Sequence, residues 1–230
     1  AGKVNILRGS ARQAGGLFGR DMLIDFTDAL LQGNVEVKGG NMKSLLLLAG
    51  QDYDIAGDLD GSIIVNKEGK GTGISVGGQI RNCSIRGISY PSAVFDVFIH
   101  KDILNILKVR IDEVNGGFLA AQGTIDFRNR NLALDAFCSE ADASVLNAFI
   151  KAPIDFGGKM SFAAQVGGTI ENPAANASLS VSQGQIADTP VDNLYGMFIL
   201  RDDLYNIEQL YVQKDIYKVS AYGAVPQDLF

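Results

Sequence analysis

The sequence predicts an all-β protein, folded mainly as an antiparallel sheet and containing two short helices. Apolar and polar residues alternate along several segments, which is the periodicity of a strand with one apolar face. Polar turn clusters separate these segments, for example at residues 66–69, 113–117 and 128–131. Such short turns favour antiparallel neighbours, because parallel strands need long crossover connections.

The elements before residue 131 are one helix and a series of strands. Residues 41–50 carry four consecutive leucines and end at Gly50, which predicts a short helix closed by glycine. Residues 94–100 alternate as a less polarised strand, and residues 107–112 alternate strictly between apolar and charged side chains. The second pattern predicts a strand with one apolar and one wet face.

The later elements repeat this arrangement. Residues 132–138 form another apolar row, and residues 139–150 predict a second short helix that Pro153 stops. Residues 177–182 alternate with serines on the wet side, and residues 217–225 predict one more strand. The chain is therefore expected to hold few helices among many strands.

Composition excludes several classes of function. Only 20% of the residues are charged, the net charge is -6, and no four consecutive residues are basic, so a nucleic-acid surface is not expected. The single histidine, His100, excludes any metal site with two histidines and leaves one side chain that titrates near neutral pH. We therefore expect no enzyme and no cofactor.

The two cysteines, Cys83 and Cys138, leave two alternatives open. They could form one disulfide in an oxidising compartment, or both could be small apolar residues of a core. No apolar run approaches the roughly 20 residues needed to cross a bilayer.

Several features recur about one hundred residues apart, which predicts a repeat architecture. The triplet at residues 78–80 returns at 184–186, and the two predicted helices are separated by a similar distance. We expect the end of one module at 1–50, a first full module at 51–150 and an incomplete second module at 151–230.

A sheet of about six strands with one helix leaves much of its apolar face to be covered. Either the sheet folds on itself as a closed sandwich, or it curls into a trough whose aliphatic interior stays partly open. The 27 glycines include several within strands, where they permit strong bending. An aliphatic lining suits acyl chains better than a shaped polar ligand.

Residues 157–173, 177–186 and 219–226 resemble the TamB branch of the AsmA-like proteins. The shared cadence is G-x-I-x-N-P, a strand, G-x-I, a second strand and x-G-x-x-P. The resemblance implies a U-shaped, elongated sheet, the β-taco, with an apolar groove. It also implies a periplasmic protein, held in the inner membrane by an N-terminal helix that lies outside this sequence.

What the resemblance implies about function is a bridge that carries phospholipids to the outer membrane. The expected partners are phospholipid acyl chains, neighbouring repeats of a longer chain and an outer-membrane β-barrel protein similar to TamA. The groove is expected to be lined by apolar strand positions: Ile63, Val65, Phe95, Val97, Ile99, Leu107, Val109, Ile111, Leu132, Leu134, Leu179, Val181, Val219 and Ala221.

An alternative function is strand-edge pairing, in which exposed edges help to assemble outer-membrane proteins or autotransporters. A closed β-solenoid with a surface site is less favoured, because such folds repeat every 20 to 30 residues. In residues 69–73 the lysine is followed by glycine instead of the serine or threonine of a phosphate loop, and residues 58–61 lack the third acidic position and the closing glutamate of a calcium loop. Asp96 and His100 could form a carboxylate–imidazole pair, but the sequence has no Gly-x-Ser-x-Gly motif that would supply a nucleophile.

Overall fold

The computed structural model describes residues 3–5, 9–13, 16–25, 30–48, 50–68, 71–148, 156–186, 189–202 and 204–226. The chain divides into two compact units, unit 1 (Ala1–Asp112) and unit 2 (Glu113–Phe230). Each unit is an antiparallel sheet with one short helix, so the predicted all-β fold class is confirmed.

The described residues of unit 1 form eight strands and helix α1 (Met42–Leu48). Its strands are β1 (Lys3–Asn5), β2 (Gly9–Gln13), β3 (Gly16–Asp25), β4 (Leu30–Asn41), β5 (Ile55–Glu68), β6 (Gly71–Ile85), β7 (Ile88–His100) and β8 (Ile103–Asp112). From β3 to β8 each strand pairs with the next in the chain, and β1 and β2 both pair with β3. Unit 1 is thus a meander from β3 onward.

In the part of unit 2 that the structure describes, there are seven strands and a 3₁₀ helix (Ala143–Ala148). Its strands are β9 (Phe118–Asp126), β10 (Asn131–Asp142), β11 (Phe156–Gly168), β12 (Pro173–Ile186), β13 (Thr189–Arg201), β14 (Leu204–Lys214) and β15 (Tyr217–Pro226). Each of them pairs with the next strand in the chain. This unit is a meander throughout.

The predicted helix at 139–150 begins later than expected. Residues up to Asp142 continue β10 beyond a bulge, and Asp142 then accepts a hydrogen bond of 2.9 Å from the Ser144 N–H to cap the helix. Asn41 caps α1 in the same way, since its side chain accepts from the Ser44 N–H at 2.9 Å. The two caps lie 101 residues apart. The remaining predicted positions, 149 and 150, lie outside the described residues.

The two units repeat the same architecture at a spacing of 101 residues. Helix α1 begins at Met42 and the 3₁₀ helix at Ala143, while β5 begins at Ile55 and β11 at Phe156. The predicted repeat of about one hundred residues is therefore present. The module boundaries at 50 and 150 stay a prediction, because the compact units divide instead between Asp112 and Glu113.

The bulges repeat at the same spacing as the strands. Gly39 and Glu140 have φ angles of 62° and 52° in the bulges of β4 and β10. The Gly39 N–H donates to Asp60 Oδ1 at 2.7 Å, and the Glu140 N–H donates to Ser161 Oγ at 3.0 Å. Each bulge leaves one ladder donor unpaired, and a side chain at the equivalent place of the next strand accepts it.

Candidate functional site

Cross-strand pairing in unit 1 collects the apolar side chains into four rows on one face of β4–β8. We call this the apolar face. Its rows are named in order from the strand ends farthest from α1 (the open row) to those nearest to it (the capped row). The open row is Gly33, Val65, Ile74, Ile99 and Leu104, and the second row is Val35, Ile63, Val76, Val97 and Ile106. The third row is Val37, Gly61, Gly78, Phe95 and Val109, and the capped row is Gly40, Leu59, Ile80, Ala93 and Ile111.

Unit 2 has the same four rows on β10–β14, each residue 101 positions later. The open row is Leu134, Val166, Ala175, Leu200 and Tyr205, and the second row is Ala136, Ala164, Ala177, Phe198 and Ile207. The third row is Cys138, Phe162, Leu179, Gly196 and Leu210, and the capped row is Ala141, Met160, Val181, Leu194 and Val212.

None of the residues that form these rows is charged. Their polar side-chain atoms are the Tyr205 hydroxyl and the Cys138 thiol. In unit 2 the apolar face continues onto both flanking strands, through Ile125 of β9 beside Leu132 and through Val219 of β15 beside Val212. An uncharged aliphatic surface of this kind recognises hydrocarbon by burial rather than by hydrogen bonds.

The most deeply buried residues of the apolar faces lie in the capped rows. Ile80 is 5% exposed and Met160 is 1% exposed in the capped rows, whereas Val35 and Ile63 of the second row in unit 1 are 37% and 38% exposed. In each unit the short helix packs near the capped row, against β4 and β5 in unit 1 and against β11 in unit 2. The helix therefore closes one end of the apolar face.

The predicted groove residues lie on the apolar faces of the two units, with one exception. Ile63, Val65, Phe95, Val97, Ile99, Val109 and Ile111 share the face of unit 1, and Leu132, Leu134, Leu179, Val181, Val219 and Ala221 share that of unit 2. Their role in lipid binding stays a prediction. Leu107 is different: it lies in the bulge of β8, has no Cα partner on β7 and is 57% exposed.

The predicted set omits several residues of the second and open rows. Ile74, Val76, Leu104 and Ile106 belong to unit 1, and Phe198 of unit 2 also lies among them. Residues 74–76 alternate and could have been found from that pattern. For Phe198 the signal is the repeat, because it occupies the place of Val97.

Large and small side chains are matched along the middle of the face. A Cβ added at Gly78 would lie 3.2 Å from Phe95 Cζ, so the Phe95 ring covers that glycine. In unit 2 the Phe198 ring covers Gly196, where an added Cβ would lie 2.5 Å from the ring. A smooth lining results because a ring fills the space that each glycine leaves.

The opposite face, which we call the polar face, differs in its side chains between the units. In unit 1 it carries the ion pair of Arg81 with Asp60, at 2.6 Å, and that of Arg110 with Asp112, at 2.7 Å. Unit 2 carries the ion pair of Lys159 with Glu140, at 3.3 Å, and its polar face also holds many serine, asparagine and glutamine residues and the cross-strand pair of Tyr195 with Tyr211. The side chains of the polar face thus differ between the two units, whereas both apolar faces consist of uncharged residues.

Both cysteines are free and buried, at 1% exposure for Cys83 and 4% for Cys138. Burial raises the pKa of the Cys83 thiol, and burial is also the main cause that raises the pKa of Cys138 to about 11. The Cys138 thiol donates to the Met160 carbonyl at 3.5 Å. Each thiol serves as a small core residue of its own unit.

The remaining sequence motifs have structural roles. The Asp58 carboxylate accepts a hydrogen bond from the Asn82 amide at 3.3 Å, and Asp60 accepts from the Gly39 N–H and pairs with Arg81. His100 stacks on Phe98 with ring centroids 6.2 Å apart. Residues 71–73 belong to β6, while 69 and 70 lie outside the described residues. Across the described part of the chain, no three His, Cys, Asp or Glu side chains form a cluster that could hold a metal.

No family model, curated protein or solved structure matches this chain. None of the helices in the described residues is both long enough and apolar enough to span a membrane. The two apolar faces are therefore the candidate functional site on their own geometry and chemistry.

Proposed function

We propose that this protein is a non-enzymatic segment of a periplasmic lipid bridge, in which the apolar faces carry phospholipids between the inner and outer membranes. One observation supports this function most strongly. Each unit presents rows of uncharged, mostly aliphatic residues, and the helix covers only one end of those rows. The resemblance to TamB and the AsmA-like proteins supports the compartment and the curling of the sheet into a β-taco.

The mechanism is partition of the acyl chain between water and the apolar face. Burial of hydrocarbon contributes about 0.8 kcal/mol per methylene, so a long acyl chain strongly prefers an aliphatic surface. Because neighbouring rows have similar chemistry, a chain can move from strand to strand without leaving a deep local minimum. The head group stays at the water-facing opening.

Charge substitution on the apolar face tests this function. Val76→Asp in unit 1 and Leu179→Asp in unit 2 place an unpaired charge where hydrocarbon would lie, which is costly in an apolar environment. We expect each to lower phospholipid transfer between donor and acceptor vesicles by about tenfold or more. Mass spectrometry of lipid that copurifies with the protein gives a second readout.

Matched controls lie one residue away on the same strands. Ser75→Asp and Ser178→Asp add the same charge to the polar face. They should leave transfer and copurifying lipid unchanged, and denaturant unfolding of all four variants separates loss of transfer from loss of fold. Equal transfer by the wild type and the folded apolar-face variants would rule the bridge out.

A second candidate function is strand-edge pairing with an outer-membrane β-barrel protein. Among the described residues β15 pairs only with β14, and all but one of its residues are exposed. Exposed strand edges accept further strands through their free N–H and C=O groups.

Single prolines at Ser220 and Ala221 distinguish this function from the first. Adjacent residues of an antiparallel strand direct their N–H groups to opposite sides, so one of the two prolines removes an outward donor. If edge pairing is the function, that proline abolishes binding of the barrel partner while Leu179→Asp has no effect. If the lipid bridge is the function, Leu179→Asp lowers lipid transfer between vesicles and neither proline does.

A further inference from the structure

In each apolar face, the buried part near the short helix and the half-buried part lie at opposite ends of the same strands. We propose that an acyl chain occupies the open and second rows of each unit, reaches no further than the third row, is excluded from the capped row, and is bound without recognition of its head group. This inference rests on the proposed function and narrows both the site and its substrate class.

The closed end of each apolar face lies where the short helix begins. The caps at Asn41 and Asp142 start the two helices directly after β4 and β10. A Cβ added at Gly40 would lie 2.9 Å from Leu45 Cδ1, so α1 lies against the capped row of unit 1. In unit 2 the capped row includes Met160 and Leu194, which are 1% and 9% exposed. A chain could enter there only if the helix moved away.

The side chains of the open and second rows offer hydrocarbon contact, and none of them is charged. Val65, Ile74 and Ile99 of unit 1 and Val166 and Leu200 of unit 2 are half-buried without a helix against them. The Tyr205 hydroxyl is the only side-chain hydrogen-bonding group among the residues that form the open and second rows. Apolar pockets discriminate weakly between ligands that differ only in a distant polar group. The substrate class is therefore acyl lipids in general, selected by the chain.

The chain contains no tryptophan, so single introduced tryptophans report local contact with lipid. Phe198→Trp places the reporter in the second row of unit 2, and Tyr90→Trp places it in the buried end of unit 1, where Tyr90 is 6% exposed. Leu194→Trp is a second reporter at a closed end. Phe137→Trp is the matched control on the polar face, where Phe137 is 39% exposed.

The experiment measures quenching of each variant by vesicles that contain palmitoyl-dibromostearoyl phosphatidylcholine, phosphatidylethanolamine or phosphatidylglycerol at 0.15 M salt, where long-range charge effects are screened. We expect at least half of the Phe198→Trp emission to be quenched, to the same extent by all three lipids. The Tyr90→Trp, Leu194→Trp and Phe137→Trp variants should lose less than a tenth. Urea unfolding confirms that each variant is folded.

The outcomes separate this inference from the proposed function. Quenching of Tyr90→Trp or Leu194→Trp as strong as that of Phe198→Trp would overturn the closed end while leaving lipid binding intact. Quenching that requires one head group would overturn the lack of head-group recognition. No quenching of Phe198→Trp by any lipid, together with no copurifying lipid, would overturn the proposed function itself.

Discussion

Gly57 and Gly158 occupy equivalent places where the backbone itself requires glycine. Their φ angles are 138° and 104°, a region that side chains with a Cβ rarely adopt. A Cβ added at Gly158 would also lie 2.7 Å from the Gln183 carbonyl oxygen, and one at Gly57 would lie 2.8 Å from that of Arg81. Both glycines thus allow β5 and β11 to approach the bulges of the next strand.

We expect Gly158→Ala to lower the free energy of unfolding by about 1–3 kcal/mol, because both its φ angle and the approaching carbonyl oppose a side chain. Gly157→Ala is the control, since an added Cβ there meets only Gln185 Cβ at an ordinary 3.6 Å. It should change stability by less than about 0.5 kcal/mol. Urea denaturation measures both, and equal losses would contradict this account of the glycine.

The buried Cys138 thiol predicts a loss of stability at alkaline pH. Its pKa rises from 9.0 to about 11 on folding, so between these values the unfolded chain loses the proton and the folded chain keeps it. The free energy of unfolding must therefore fall from pH about 9 to about 11. Cys138→Ala should show a shallower fall in urea unfolding over that interval. Parallel pH profiles for both proteins would argue against a buried neutral thiol.

At the scale of elements, α1 is expected to stabilise unit 1 through one side of the helix only. Leu45 lies close to Gly40 of β4, whereas Leu47 is 54% exposed. Leu45→Ala should lower the free energy of unfolding by about 1–3 kcal/mol, and Leu47→Ala by less than about 0.5 kcal/mol. If the two substitutions cost the same in urea denaturation, α1 does not cover the capped row.

Alternation identified most of each apolar face from sequence, because side chains on a strand change sides with every residue. A bulge breaks that alternation, and nothing in residues 107–112 marks one. The register shift lies between Asp96 and Val97, so Ile106 rather than Leu107 pairs with Val97. The repeat offers the clue, since Glu208 holds the place of Leu107 in unit 2, beside the same shift.

Other bulges were hidden because residues other than glycine occupy them. Asn82 and Gln183 lie 101 residues apart with φ angles of 49° and 50°, and Glu140 stands where unit 1 has glycine. Glycine at such a place predicts a turn or bulge, but glutamate in residues 139–142 resembles the first turn of a helix. The start of the second helix was therefore predicted too early.

For the whole molecule, the two units differ most in the side chains that meet water. The row Glu36, Ser62, Gly77, Asp96 and Lys108 of unit 1 corresponds in unit 2 to Phe137, Ala163, Ser178, Met197 and Gln209. Across the equivalent apolar rows, substitutions exchange one uncharged residue for another. That pattern allows the polar face to vary while the apolar face stays uncharged.

The spacing of 101 residues predicts that one whole repeat can be removed. Deletion of residues 57–157 joins Ala56 to Gly158 and preserves the position of every side chain relative to the sheet. We expect the shortened chain to keep a strand-type circular dichroism spectrum and a cooperative urea transition. A deletion of residues 57–156, one residue shorter, exchanges the two faces beyond the junction and should abolish the transition. Similar unfolding of both chains would contradict the repeat.

Residue-for-residue correspondence also makes each unit an internal standard for the other. Phe95 and Gly196 hold one place, as do Gly78 and Leu179, so a substitution can copy a residue that the same chain already tolerates elsewhere. Such transplants compare two natural solutions to one packing problem at identical concentration, purity and solvent. The stability of such variants would show how strictly one backbone geometry limits the residues that can occupy an equivalent place.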